Sequence, residues 1–446
     1  QAVTTGSRSA DFDLRLPDLR PLAASYRQDI RGTMSLTGKV AEQGSATTLD
    51  VRGTGNLTGS SIAAKLLGAD ARLHVAGSMT QATVDVDTLD LSGRALSVSA
   101  SGSADRSGPG ASTPLVQSVH AYWRVSLPKL ALIWPSLGGS LETTGTSDGP
   151  LQSPTAEVDA KSTIAVRGAP PGTIEATLQA RGLPSAPRAA LQANGRFDGA
   201  PLRLAASLER GAGKTFHIAI PHVTWKSLAV NGDLTGGRSL ATARGSLRLN
   251  MAHLADLQPL LGERIAGGIA ASLDFTPGAG GSRASFDLVA SNVVAGGVSG
   301  NARLSAVGPL GALRVEVTAQ SPDIHGPADD LVAGALLDGT RRVLDLDRFE
   351  ARYHGQTLHL ISPSQVTFAS GIRVRDLRLG AQKAVIAVDG EISPALDFRA
   401  SIHQVDAALV NSFVPNLLAQ GTLNAGAGLR WGRTAPVGQG SLRVTG

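Results

Sequence analysis

Leu202-Arg203-Leu204-Ala205-Ala206-Ser207-Leu208 sets a leucine or alanine at every second position, and the run ends, after Glu209-Arg210, at Gly211. A period of two sends alternate side chains to opposite faces of a β-strand, so Leu202, Leu204, Ala206 and Leu208 share one face. The pattern returns in Leu313-Arg314-Val315-Glu316-Val317, Leu358-His359-Leu360 and Leu377-Arg378-Leu379. Each run stops at Gly, Asn-Gly, Asp-Gly or Pro, the residues that supply turns. The chain therefore reads as dozens of strands, often roughly five to seven residues long, each with one apolar and one polar face. What the continuous apolar face covers is the functional question.

The length of 446 residues favours several domains or one long array over a single core. Glycine, at 53 residues, is well above the usual ~7% and suits frequent turns. The charged fraction of 17% is low, and cysteine is absent, which removes disulfides, thiolate ligands and a cysteine nucleophile. The net charge of +5 is mild, and the arginines stand singly on polar faces (Arg203, Arg248, Arg314, Arg378). No basic run interleaved with aromatics is present, so nucleic acid is not an expected partner. No stretch reaches the ~18 apolar residues of a membrane helix. The chain opens at Gln1 and closes on a strand pattern, 440–446, and reads as a fragment whose signal or anchor lies outside it.

A longer repeat overlies the strands. Four times an apolar pair leads into a Leu-rich segment with a proline, then a glycine reopens the alternation. The units are Leu14 to Leu22 reopening at Gly32, Val125 to Leu137 reopening at Gly139, Leu247 to Leu261 reopening at Gly267, and Ile402 to Leu418 reopening at Gly421. The key prolines, Pro21, Pro135, Pro259 and Pro415, are spaced 114, 124 and 156 residues apart, so the repeat carries insertions. Expected domains are 1–124, 125–246, 247–401 and a truncated 402–446. The Leu-rich pieces predict short helices, most strongly over 252–261 and 406–413, that pack on the sheet or plug its edge. Residues 101–114 and 276–285 read as loops.

Motifs that suggest chemistry fail on context. Gly145-Thr146-Ser147-Asp148-Gly149 matches a nucleophile elbow, but Pro150 and Pro154 follow where a helix is needed, so a turn is expected. Gly211-Ala212-Gly213-Lys214-Thr215 resembles the end of a phosphate loop, but Leu208 replaces its first glycine, and a hairpin turn is expected. His217 and His222, like His354 and His359, are five apart, which on a regular strand puts the rings on opposite faces. Asp85, Asp87 and Asp90 lack the glycine and terminal glutamate of a calcium loop and read as outward strand positions. Trp123, Trp134, Trp225 and Trp431 are expected at strand or segment ends, sealing edges. Neither a catalytic set nor a cofactor site emerges, so the chain does not read as an enzyme.

A sheet with one apolar face must hide it. It can close into a membrane barrel, coil around a dry core, or curl into a trough that holds lipid tails. A barrel needs strands of about ten residues and aromatic girdles, which short runs and sixteen aromatics (Phe 9, Trp 4, Tyr 3) do not supply. A dry β-solenoid core, as in a secreted passenger domain, usually uses bulky side chains. Here many inward candidates are small (Ala156, Ala160, Ala176, Ala180, Ala206, Ala387), which leaves interior volume. A polysaccharide-processing β-helix would need clustered carboxylates, and none is seen.

The Leu-x-Leu … Pro-x-Leu-Leu … Gly-x-Leu units, clearest over 402–423, resemble the TamB family of AsmA-like bacterial envelope proteins (translocation and assembly module subunit). So does the succession Leu358-His359-Leu360-Ile361-Ser362-Pro363 … Leu377-Arg378-Leu379-Gly380 … Ile386-Ala387-Val388-Asp389-Gly390-Glu391-Ile392. The resemblance covers the chain as texture. It implies an all-β, elongated, curled, mostly antiparallel sheet, an open trough or β-taco with a few short helices at repeat junctions. It further implies a periplasmic bridge of a Gram-negative cell, anchored to the inner membrane by a segment not present here. Such a bridge carries phospholipid between the membranes, with a linked role in outer-membrane protein assembly and a partner barrel met by regions outside this chain. If each crossing takes ~15 residues, about 30 strands spaced ~4.8 Å apart give a sheet on the order of 140 Å. The expected floor against acyl chains is Leu202, Leu204, Phe216, Ile218, Leu313, Val315, Val317, Leu358, Leu360, Leu377, Leu379, Ile386 and Val388, with no metal or cofactor.

Overall fold

A computed structural model describes residues 8–25, 28–106, 116–183, 186–211, 213, 215–237, 239–278, 280–322, 329–353, 356–369, 371–393, 396–406, 422–431 and 437–445. These residues are all-β, in 28 strands. Among them, α-helix is confined to Arg20–Ser25, Ile62–Leu67 and Gln258–Leu261. The chain divides into two compact units, residues 1–226 with 259–262, and residues 227–258 with 263–446. In the first unit, successive strands from Arg8–Leu16 to Phe216–Trp225 pair antiparallel in chain order. The second unit repeats this meander from Leu228–Gly236 to Val437–Thr445. One line in it is broken: Gln356–Ser362 and Ser364–Thr367 both pair with Val343–Tyr353 and with Ile372–Ala381. The break falls at Pro363, which has no N–H to give the ladder.

The strands are longer than the sequence suggested, commonly nine to 13 residues. Internal glycines read as stops are in fact spacers for large cross-strand neighbours. A Cβ on Gly38 would lie 2.4 Å from Phe12 Cζ, and one on Gly145 would lie 2.2 Å from Trp123 Cζ2. Glycine weakens a strand by itself but admits an aromatic ring lying across it. Three expectations change as a result. Gly145–Gly149 is the interior of the strand Gly138–Pro150, not a turn. Residues 101–106 complete the strand Ser97–Arg106, while 107–114 lie outside the described residues. The loop expected at 276–285 shrinks to 277–282, between Ile265–Thr276 and Arg283–Ala295. Trp123 sits within its strand, whereas Trp225 and Trp431 end theirs. Strand length therefore no longer argues against a barrel; the scarcity of aromatics still does.

The junctions form as short helical turns at Arg20–Ser25, Leu130–Leu132 and Leu254–Leu257 with Gln258–Leu261. The piece expected over 406–413 lies outside the described residues, apart from Asp406, which ends a strand. A fourth junction, the helix Ile62–Leu67, holds no proline and so falls outside the proline-marked repeat. Its signals were present: Ser61 Oγ accepts from the Ala64 amide, and Gly68 closes it at φ +66°. The repeat-opening glycines have a common geometry. Gly32, Gly139 and Gly267 stand at φ +128°, +109° and +98°. A Cβ there would come within 1.8, 1.8 and 2.5 Å of a neighbouring strand's carbonyl oxygen. The expected domain boundaries at 124/125, 246/247 and 401/402 each fall inside a strand.

Adjacent junctions in the first unit are tied by a carboxylate. The Ser60 hydroxyl and amide donate to Asp29 Oδ2 at 2.7 and 3.0 Å. Ser60 first, and Arg31 to a lesser degree, hold this carboxyl below its ordinary range. A carboxyl depressed in the folded state stabilises above its unfolded pKa of about 3.9, and that contribution is lost as pH falls through the lower folded value. The Ser60 amide resonance should therefore titrate with a midpoint below about 3.9. A midpoint at or above that value, or no titration, would count against the tie.

Candidate functional site: a half-open apolar sheet face

Directly paired residues of antiparallel strands project from the same face. Following the pairs across the first unit gives a row that is apolar except at Gly53 and Thr143: Leu14, Leu36, Gly53, Leu73, Leu91, Val98, Val125, Thr143, Ala160, Ala176, Ala193, Leu204, Val223. The neighbouring positions on the other face give Asp13, Thr37, Arg52, His74, Asp90, Ser99, Arg124, Thr144, Asp159, Thr177, Gln192. In the second unit one row runs Val230, Leu249, Ala271, Leu288, Leu304, Val317, Ala333, Phe349. A further row runs Leu360, Leu379, Ile386, Ile402, Ala425. Each unit thus carries one apolar and one polar face.

All thirteen predicted floor residues lie on these apolar faces. Leu202 pairs with Trp225, and Ile218 with Leu208. Leu313 pairs with Leu337, Leu358 with Ala381, and Leu377 with Val388. Twelve are half-buried and Ile218 is 41% exposed. Phe216 lies at the margin, with the Arg210 guanidinium 5.9 Å from its ring. Of the alanines taken as inward, Ala387 is misplaced. It pairs with Arg378 and Ser401 on the polar face, because Ile386 and Val388 take the apolar positions.

The apolar face is not sealed by the protein's own side chains. Phe12, Leu14, Leu178 and Leu429 belong to it and remain large exposed hydrophobics. No large side chain among the described residues is fully buried. In the second unit the row Ala290, Ala302, Ala319, Leu331, Ala351 floors an open pocket of about 430 Å³. Small side chains leave that volume, as the sequence suggested.

The polar face is laced by ion pairs between neighbouring strands. Arg248 meets Asp274 at 2.7 Å, Arg303 meets Asp287 at 2.8 Å, and Arg314 meets Asp347. These pairs are exposed and contribute little individually. The expected separation of His217 and His222 is overturned. A bulge between Ala205 and Ser207 sets them opposite Ala205 and Glu209, both on the polar face. An extra residue in one strand restores a shared face that an odd spacing alone forbids. The second histidine pair is incomplete here, since His354 lies outside the described residues. Among the described residues no group of His, Asp or Glu is placed to hold a metal ion. Asp85 and Asp90 pair with Ser78 and His74 on the polar face, and Asp87 sits at a bulge. Gly211–Thr215 is the hairpin expected, closed by the Gly211 amide on the Thr215 carbonyl at 2.9 Å; Ala212 and Lys214 lie outside the described residues. No known family matches the chain, and no curated protein matches it either.

Proposed function

We propose that the apolar face is a passive floor for phospholipid acyl chains, and that the chain is a periplasmic segment of a bridge between inner and outer membranes. The observation that carries the reading is the apolar rows that run along each unit, half-exposed where a dry core would be closed. Acyl chains on this floor exchange one apolar surface for another, at roughly 0.8 kcal/mol per CH₂ relative to water. Because neighbouring rows repeat the same chemistry, a chain moves from strand to strand without a large step in free energy. Headgroups stay at the margins, and no bond is made or broken. The resemblance to the TamB family supports this reading and adds the anchor, the outer-membrane barrel partner and the role in outer-membrane protein assembly, all through regions outside this chain.

Phospholipid should be found by mass spectrometry in organic extracts of the purified protein. Leu204→Asp and Leu360→Asp set a carboxylate in the middle of the floor, and each should cut the bound lipid several-fold while far-UV circular dichroism stays that of the parent. Absence of lipid from the parent, or undiminished lipid in both folded variants, would overturn the proposal. The former result would favour a structural or adhesive β-solenoid.

A further inference from the structure

The meander sends alternate connections to opposite margins of the sheet. In the first unit the connections 17–30, 59–70, 93–96 and 128–137 all follow strands of one direction, so they share one margin. Three of them interlock. The Arg94 and Ala95 amides donate to the Leu67 and Leu66 carbonyls at 2.9 and 2.8 Å. The helix Ile62–Leu67 also packs against the turn Leu130–Leu132. Buried Leu66, Ala95 and Leu130 hold this lip together from inside.

Its outer surface exposes large apolar side chains. Ile62 and Trp134 are 55% and 51% exposed, although each stands in an ordered turn. Lys65, Arg94 and Lys129 are exposed in the same connections, and among the described residues none of the three forms an ion pair with an acidic side chain. Asp70 is the one acid in these three connections. An indole and an isoleucine exposed on a lip that also exposes lysine and arginine are the side chains that settle at a headgroup boundary: the ring and aliphatic group enter, and the long basic stems keep their charges at the phosphates. An acidic protein partner would match the cations but would not require Trp134 and Ile62 in water.

We propose that this lip, Ser60–Asp70 with Gly93–Leu96 and Pro128–Leu137, docks on the surface of an anionic bilayer. Docking does not depend on lipid entering the apolar face, and the test separates the two. Co-sedimentation with vesicles of phosphatidylcholine containing about one-third phosphatidylglycerol should show binding that weakens with salt, as a surface charge contact must. The double variant Lys65→Glu/Lys129→Glu should bind at least about tenfold more weakly, and Trp134→Ser severalfold more weakly. Gln43→Glu/Ser45→Glu/Gln81→Glu/Gln152→Glu adds four acids at exposed positions of the opposite margin, the same change in net charge as the lip variant, and serves as its control; it should bind nearly as the parent does. The lipid content of purified Lys65→Glu/Lys129→Glu should be unchanged. Absence of vesicle binding by the parent would overturn the proposal. So would equal losses in the lip and control variants, or equal binding to pure phosphatidylcholine.

Discussion

Trp225→Ala is expected to lower the unfolding free energy of the first unit by about 3–5 kcal/mol. Trp225 ends the strand Phe216–Trp225 and is 4% exposed in a sheet where few large side chains are so enclosed. Its Nε1 donates to the Phe197 carbonyl at 2.9 Å, and its ring stands 5.4 Å from that of Phe197. Lys226 lies 5.0 Å from the indole and pairs with Asp198. Removing the indole leaves a cavity, an unpaired carbonyl and an ion pair without its cover. Trp225→Phe keeps most of the apolar contact and should cost nearer 1 kcal/mol, the usual net worth of a hydrogen bond. Urea unfolding of both variants reads this directly. A loss under about 1 kcal/mol for Trp225→Ala would show that the margin is not sealed there.

Gly139→Ala is expected to cost about 2–4 kcal/mol, a large loss for one methyl group. The residue stands at φ +109°, and the added Cβ would fall 1.8 Å from the Thr163 carbonyl oxygen. The backbone must move away from its neighbouring strand, breaking the pairing that opens the repeat. Gly44→Ala separates conformational cost from collision. Gly44 is at φ +64° with nothing within 4 Å of the added atom, so it should lose only about 1 kcal/mol. Equal thermal shifts for the two variants would mean the carbonyl contact is not what demands glycine at 139.

The apolar face was legible because its signal is local. Leu313, Val315 and Val317 needed only their own alternation with Arg314 and Glu316 to be placed together. The junction turns at Arg20–Ser25 and Gln258–Leu261 were marked by Pro21 and Pro259 within Leu-rich segments. The helix Ile62–Leu67 was hidden because its marks, a serine cap and a closing glycine, are shared by ordinary turns. Gly145 misled because a mid-strand glycine and a turn glycine are the same letter; only Trp123 on the neighbouring strand tells them apart. Ala387 misled because in the apolar run of five, 384–388, the alternation can be read in either phase.

By itself the sequence determined that these strands have two faces of opposite chemistry, since a side chain's direction along an extended backbone repeats every two residues whatever lies beside it. The tertiary structure alone decided which strand neighbours which, and in what register. That pairing joined separate apolar runs into continuous rows, returned His217 and His222 to one face through a bulge, and gathered Ile62, Lys65, Arg94 and Trp134 on one margin. Those outcomes depend on hydrogen bonds between segments far apart in the chain, and no local period encodes them.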